Sequence, residues 1–92
     1  MPRIPRDISG RELARLLKKY GYEITRETGS HIRLTSKLKG FEHKLTIPDH
    51  RSIKIGTLNN ILNDLADYLK ITKDKLVKEL FEKWWNSMKQ RL

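Results

Sequence analysis

The chain has no cysteine, which excludes disulfides and thiolate metal sites. It has no apolar run close to the ~20 residues that span a bilayer, so no membrane-crossing helix and no membrane partner are expected. Met1-Pro2-Arg3-Ile4-Pro5-Arg6 carries positive charge with no apolar stretch behind it. It does not read as a secretory signal, and a cytoplasmic location is expected. Gly29 and Gly56 stand alone, with no G-x-x-x-x-G-K phosphate loop around either. No G-x-S-x-G nucleophile elbow occurs. His31, His43 and His50 form no HxH or HxxxH cluster, so neither a metal nor another cofactor is expected. Acidic residues are also scarce, with 11 Asp and Glu against 20 Lys and Arg.

That imbalance leaves a net charge of +9 on 92 residues. Residues 1–56 hold 13 of the cations and 6 of the acids, so most of the excess lies in that part of the chain. A localised basic field points to a polyanionic partner. The length fits a single domain over residues 1–92, with a modest core.

Ser9-Gly10-Arg11-Glu12 has the form of a capping box, in which serine and glutamate satisfy each other's backbone amides. Leu13, Leu16, Leu17 and Tyr20 follow at helical spacing. Lys18, Lys19 and Gly21 then supply a helix stop. Three alternating runs come next: Tyr22–Glu27, His31–Thr35 and Phe41–Pro48, the last with Phe41, Leu45 and Ile47 facing inward. Short connections at Thr28-Gly29-Ser30 and Lys37–Gly40 predict an antiparallel meander with one wet face. Asp49–Gly56 reads as a loop. A second helix starts near Thr57, carrying Leu58, Ile61, Leu62, Leu65 and Leu69 inward. A third, capped by Thr72, carries Leu76, Val77, Leu80, Phe81 and Trp84 on one stripe. The expected class is α+β, in the order α-β-β-β-α with a further C-terminal helix and all helices on one face of a three-stranded sheet.

Strand parity places His31 on the face of Arg33 and Thr35, opposite Ile32 and Leu34. It is therefore expected exposed, beside cations, at the mouth of a tight turn. His43 has the parity of Leu45 and Ile47 and should point toward the apolar side. An imidazole takes and gives a proton near neutral pH, and RNA carries its own nucleophile in the ribose 2′-hydroxyl. One histidine among cations can move that proton and stabilise the developing charge without a metal. On position alone, an ordinary surface histidine is the commoner case. The cations Arg11, Lys18, Lys19, Arg33, Lys37, Lys39, Lys44, Arg51 and Lys54, with His50 in the same basic loop, are the candidate RNA-binding set. A solvated helix face accounts equally well for the helical ones. The α-β-β-β-α order is also that of double-stranded-RNA-binding domains (dsRBDs), which read backbone shape. Tyr20, Tyr22 and Phe41 are placed for the core, so no base-stacking platform is expected. Of adjacent Trp84 and Trp85, one should pack inward, while the other is free for a partner or for local packing.

Three segments together resemble the HicA (YcfA-like) toxin family. They are Ser9-Gly10-Arg11-Glu12-Leu13 through Leu17-Lys18-Lys19-Tyr20-Gly21-Tyr22, then Thr28-Gly29-Ser30-His31, then Ile47-Pro48-Asp49-His50 with Ile55-Gly56-Thr57-Leu58 and Ile61-Leu62. The likeness covers roughly residues 8–80 and leaves residues 81–92 as an extension with no transferable role. It implies a dsRBD-like fold and a metal-independent endoribonuclease that cleaves mRNA, the toxin of a toxin–antitoxin pair. It also implies a HicB-type antitoxin partner. By the same likeness His31 is catalytic, and Gly29 and Ser30 shape its turn. Lys44, Arg33 or a loop cation would stabilise the phosphate. A non-catalytic double-stranded-RNA-binding module is the alternative, and a protein-interaction domain with a basic face is a more distant one.

Overall fold

The structure is a computed structural model that describes residues 4–90, with side chains described as far as Glu82. Helix α1 spans Gly10–Leu16. Ser9 caps it from an extended conformation, its hydroxyl accepting from the Glu12 amide at 3.1 Å. The chain then tightens into a 3₁₀ turn over Leu17–Tyr20, rather than continuing the expected α-helix. At three residues per turn, Leu17 and Tyr20 eclipse each other. Both are buried, as is Ala14, while Leu16 is only half-buried at the edge of the same core. Gly21, at φ 79°, ends the turn in the left-handed region.

Strands β1 (Glu23–Thr28), β2 (His31–Ser36) and β3 (His43–Pro48) form one antiparallel sheet in the order β1-β2-β3. Ile32, Leu34, Leu45 and Ile47 face the helices and are buried, while His31, Arg33, Lys44 and Thr46 face outward. The expected meander with one wet face is therefore present. Two details differ from the expectation. A bulge between Ile24 and Arg26 takes Thr25 out of the pairing register, its hydroxyl meeting the Thr35 hydroxyl at 3.0 Å, and pairs Ile24 with Leu34. This extra residue lets Ile24 and Arg26, which share sequence parity, face opposite sides of the sheet. Phe41 lies outside β3 and is 56% exposed instead of facing inward. The Tyr68 hydroxyl donates to the Phe41 carbonyl at 2.7 Å, and the Tyr68 ring lies between the two side chains, stacked on His43 at 4.4 Å and edge-on to Phe41 at 5.0 Å.

The segment after β3 is an anchored loop. Ile53 is buried, and its amide donates to the Ile8 carbonyl at 2.9 Å. Helix α2 spans Ile55–Leu69, two residues earlier than expected, and Lys70 closes it in the left-handed region at φ 59°. Helix α3 spans Lys73–Gln90 and is capped by the Thr72 hydroxyl, which accepts from the Lys75 amide. Leu76, Val77, Leu80 and Phe81 join the same core as α1, α2 and the sheet. The side chains of Trp84 and Trp85 lie outside the described residues.

Candidate active site on the open sheet face

The β1–β2 connection contains only Gly29 and Ser30, because Thr28 already pairs with His31. Gly29 has φ 53° and Ser30 lies outside the positive-φ region, the pattern of a II′ hairpin turn with glycine first. His31 is thereby fixed as the first residue of β2, between Thr28 on β1 and Pro48 on β3. Its side chain is exposed on the outer face.

A second layer of contacts holds this corner from the helix side. The Asp49 amide donates to the Ser30 carbonyl at 2.6 Å, tying the turn to the end of β3. The Asp49 carboxylate accepts from Arg11 Nε at 3.3 Å and Nη2 at 3.0 Å. Arg11 also pairs with Glu27 on β1. These two carboxylates, Glu27 first, push the Arg11 guanidinium above its ordinary pKa and keep it charged. The Gly10 amide donates to the His50 carbonyl at 3.0 Å. Arg11, grouped with the RNA-binding cations from sequence, is thus engaged as a clasp between α1, β1 and the β3 end.

On the outer face, His31 shares a depression of 260 Å³ with Arg26, Thr28, Arg33 and Thr46. Arg33 was expected beside His31, whereas Arg26, Thr28 and Thr46 were not singled out. Their signal was available in part. A two-residue turn after Thr28 dictates the pairs Thr28–His31 and Arg26–Arg33. Thr46 needed the β2–β3 register, which places it opposite Arg33.

The remaining candidates spread out. Lys44 is exposed on the same face, opposite Thr35. Arg51 and Lys54 are exposed in the loop after β3, and His50 is exposed beside them. Lys37 and Lys39 sit in the β2–β3 connection, past the far end of β2. At ~3.3 Å per strand residue, that is roughly 20 Å from His31. Lys18 and Lys19 lie on the 3₁₀ turn, and Lys19 Nζ donates to the Glu79 carbonyl at 3.2 Å. The sheet therefore collects His31 and Arg33, with Lys44 further along the face, and leaves the Lys18–Lys19 and Lys37–Lys39 groups elsewhere.

His43 has a different environment, as its parity indicated. Its Nδ1 lies 2.6 Å from the Tyr22 hydroxyl, and its Nε2 lies 3.4 Å from Asp64. Burial pushes the Tyr22 phenol above its ordinary pKa, so it stays protonated and can donate to Nδ1. With the phenol donating to Nδ1, a proton on Nε2 is the arrangement that satisfies both contacts. Among the described residues, no group of three or more His, Asp or Glu side chains is arranged to hold a metal ion.

A dsRBD-like α+β domain with an exposed histidine in a basic depression on its open sheet face is the class these features define. Residues 10–66 match the family described as HicA toxin of bacterial toxin-antitoxin, a span that contains α1, the whole sheet and most of α2. The chain belongs to that toxin family. No curated protein and no solved structure matches it.

Proposed function

We propose that this toxin is a metal-independent endoribonuclease that cleaves mRNA by histidine acid–base chemistry. The observation that carries this reading is the placement of His31, exposed at the lip of a fixed hairpin and sharing one depression with Arg26 and Arg33. In its neutral form the imidazole accepts the proton of a ribose 2′-hydroxyl. Alternatively, in its charged form it donates one to the 5′ oxygen as the P–O5′ bond breaks and the 2′ oxygen bonds to phosphorus. Neighbouring guanidiniums oppose the negative charge that builds on the phosphate. Gly29 and Ser30 contribute by shaping the turn. In this reading the partner is a HicB-type antitoxin that covers the same face, and the working compartment is the cytoplasm, where the substrate is. Lys44, Arg51, Lys54 and His50 extend the basic surface on which the rest of the strand lies.

The test is His31→Ala, assayed on end-labelled mRNA in EDTA. Wild type should produce fragments. The variant should fold and still shift RNA on a gel, with cleavage lower by about 10²–10⁴-fold. Undiminished cleavage by the variant would remove His31 from the mechanism. A shifted but intact RNA with wild-type protein would leave an RNA-binding module instead.

A further inference from the structure

Arg26 and Arg33 stand directly opposite each other on β1 and β2, with both side chains on the outer face. Like charges in that relation destabilise a ladder. A nearby carboxylate would relieve them, yet among the described residues none lies within ion-pair distance of either. The acids at this end of the sheet are already used. Glu27 and Asp49 are committed to Arg11 from the helix side. Among the described residues, the Arg26–Arg33 pair is thus left without a counterion beside a histidine.

The depression they line is rich in donors. Each guanidinium presents only N–H groups, and the Thr28 and Thr46 hydroxyls can also donate. These groups arrive from all three strands around His31. Their complement is a small anion with acceptor oxygens on several sides. A tetrahedral phosphate has that shape, whereas a carboxylate offers its two oxygens in one plane. Guanidinium forks suit phosphate oxygens in particular. We propose that Arg26 and Arg33 form a clamp on the non-bridging oxygens of one RNA phosphodiester, seated in the depression beside His31. The choice of RNA rests on the nuclease reading above. The clamp deepens that reading by naming the residues that hold the scissile phosphate, Arg26 among them. The unrelieved repulsion in the free protein is then a stability cost that substrate binding removes.

Two linked measurements on the full chain test this. Arg26→Gln, Arg33→Gln and the double variant are titrated with a short 2′-O-methyl RNA, whose blocked 2′ oxygen prevents self-cleavage. Each single variant should bind roughly tenfold more weakly. The slope of log affinity against log salt should become shallower by about 0.7 per arginine removed. Melting of the free protein should move the other way, with Tm rising by about 1–5 °C as the like-charge contact goes. That opposite movement separates lost contacts from lost folding. An unchanged affinity and salt slope in the double variant would overturn the clamp. So would retained RNA binding with selective loss of binding to polyglutamate, which would make the site a receptor for protein carboxylates. Failure of the His31→Ala test does not affect this readout, because the probe is never cleaved.

Discussion

At Gly10 any side chain would collide with the Pro48 carbonyl oxygen, and its Cβ would lie 3.2 Å from the Asp49 Cα. The backbone of α1 crosses the end of β3 there, one ladder step from His31. At Gly29 the situation is reversed. A Cβ would meet nothing within 4 Å, but φ is 53°. The first glycine is required by space and the second by backbone conformation, and their alanine variants should differ accordingly. Gly29→Ala should cost about 1–2 kcal/mol through left-handed strain. Gly10→Ala should cost about 1–3 kcal/mol through overpacking. It should also lower RNA cleavage beyond its effect on folding, because the backbone that must yield carries Pro48, the partner of His31. Denaturant melts and cleavage rates measured below the melting range check both. A Gly10→Ala protein as stable and active as wild type would contradict the close approach.

Among the elements, those with a short, regular period were readable in the sequence. Ile32 and Leu34 against His31 and Arg33 fixed the faces of β2, and the capping box fixed the start of α1. What could not be read depends on residues distant in sequence. Phe41, outside β3, is held by Tyr68, 27 positions later, through its carbonyl and an edge-on ring contact. The bulge at Thr25 lets Ile24 follow Leu34 into the helix side while Arg26 stays on the open face. The 3₁₀ turn carries Tyr20 and Lys19 onto Glu79, some 60 positions later. The candidate site divides in the same way. His31 and Arg33 were visible from parity, and Arg26 and Thr28 were implied by hairpin arithmetic. The clasp at Arg11 was invisible, because it joins positions 11, 27 and 49. Arg11→Gln should therefore behave as a loss of positioning rather than of RNA contact. Affinity for 2′-O-methyl RNA should change little. Exchange of the Asp49 amide, bonded to Ser30, should quicken, and cleavage should fall by up to about 10²-fold through misplacement of His31. A large drop in affinity with normal exchange would return Arg11 to the RNA-binding set.

For the molecule as a whole, one core connects the site to elements beyond the matched span. Phe81 lies outside residues 10–66, yet it is fully buried in the cluster that includes Ile32 and Leu34. Phe81→Ala should cost about 3–5 kcal/mol, a large part of the ~5–15 kcal/mol that holds a small domain together. The same packing buries two phenols that bridge elements. Tyr20 donates to Glu79 on α3 at 2.9 Å, and Tyr22 meets His43 on β3. Burial, more than any charge effect, raises both pKa values above the ordinary phenol value of 10.0. A raised value in the folded state means that the unfolded chain ionises first. The stabilising effect of these phenols is complete below about pH 10 and is lost as pH climbs from there toward the folded values. Thermal stability should accordingly be insensitive to these groups near neutrality and fall steeply on the alkaline side. Phenolate absorbance from Tyr20 and Tyr22 should appear together with unfolding, not before it. Tyr20→Phe and Tyr22→Phe should each flatten part of the alkaline decline, even though each loses a hydrogen bond and starts from a lower Tm. If both phenols ionise near pH 10 with the fold intact, the packing of α3 and β3 against the Tyr20–Tyr22 segment is looser than these contacts require.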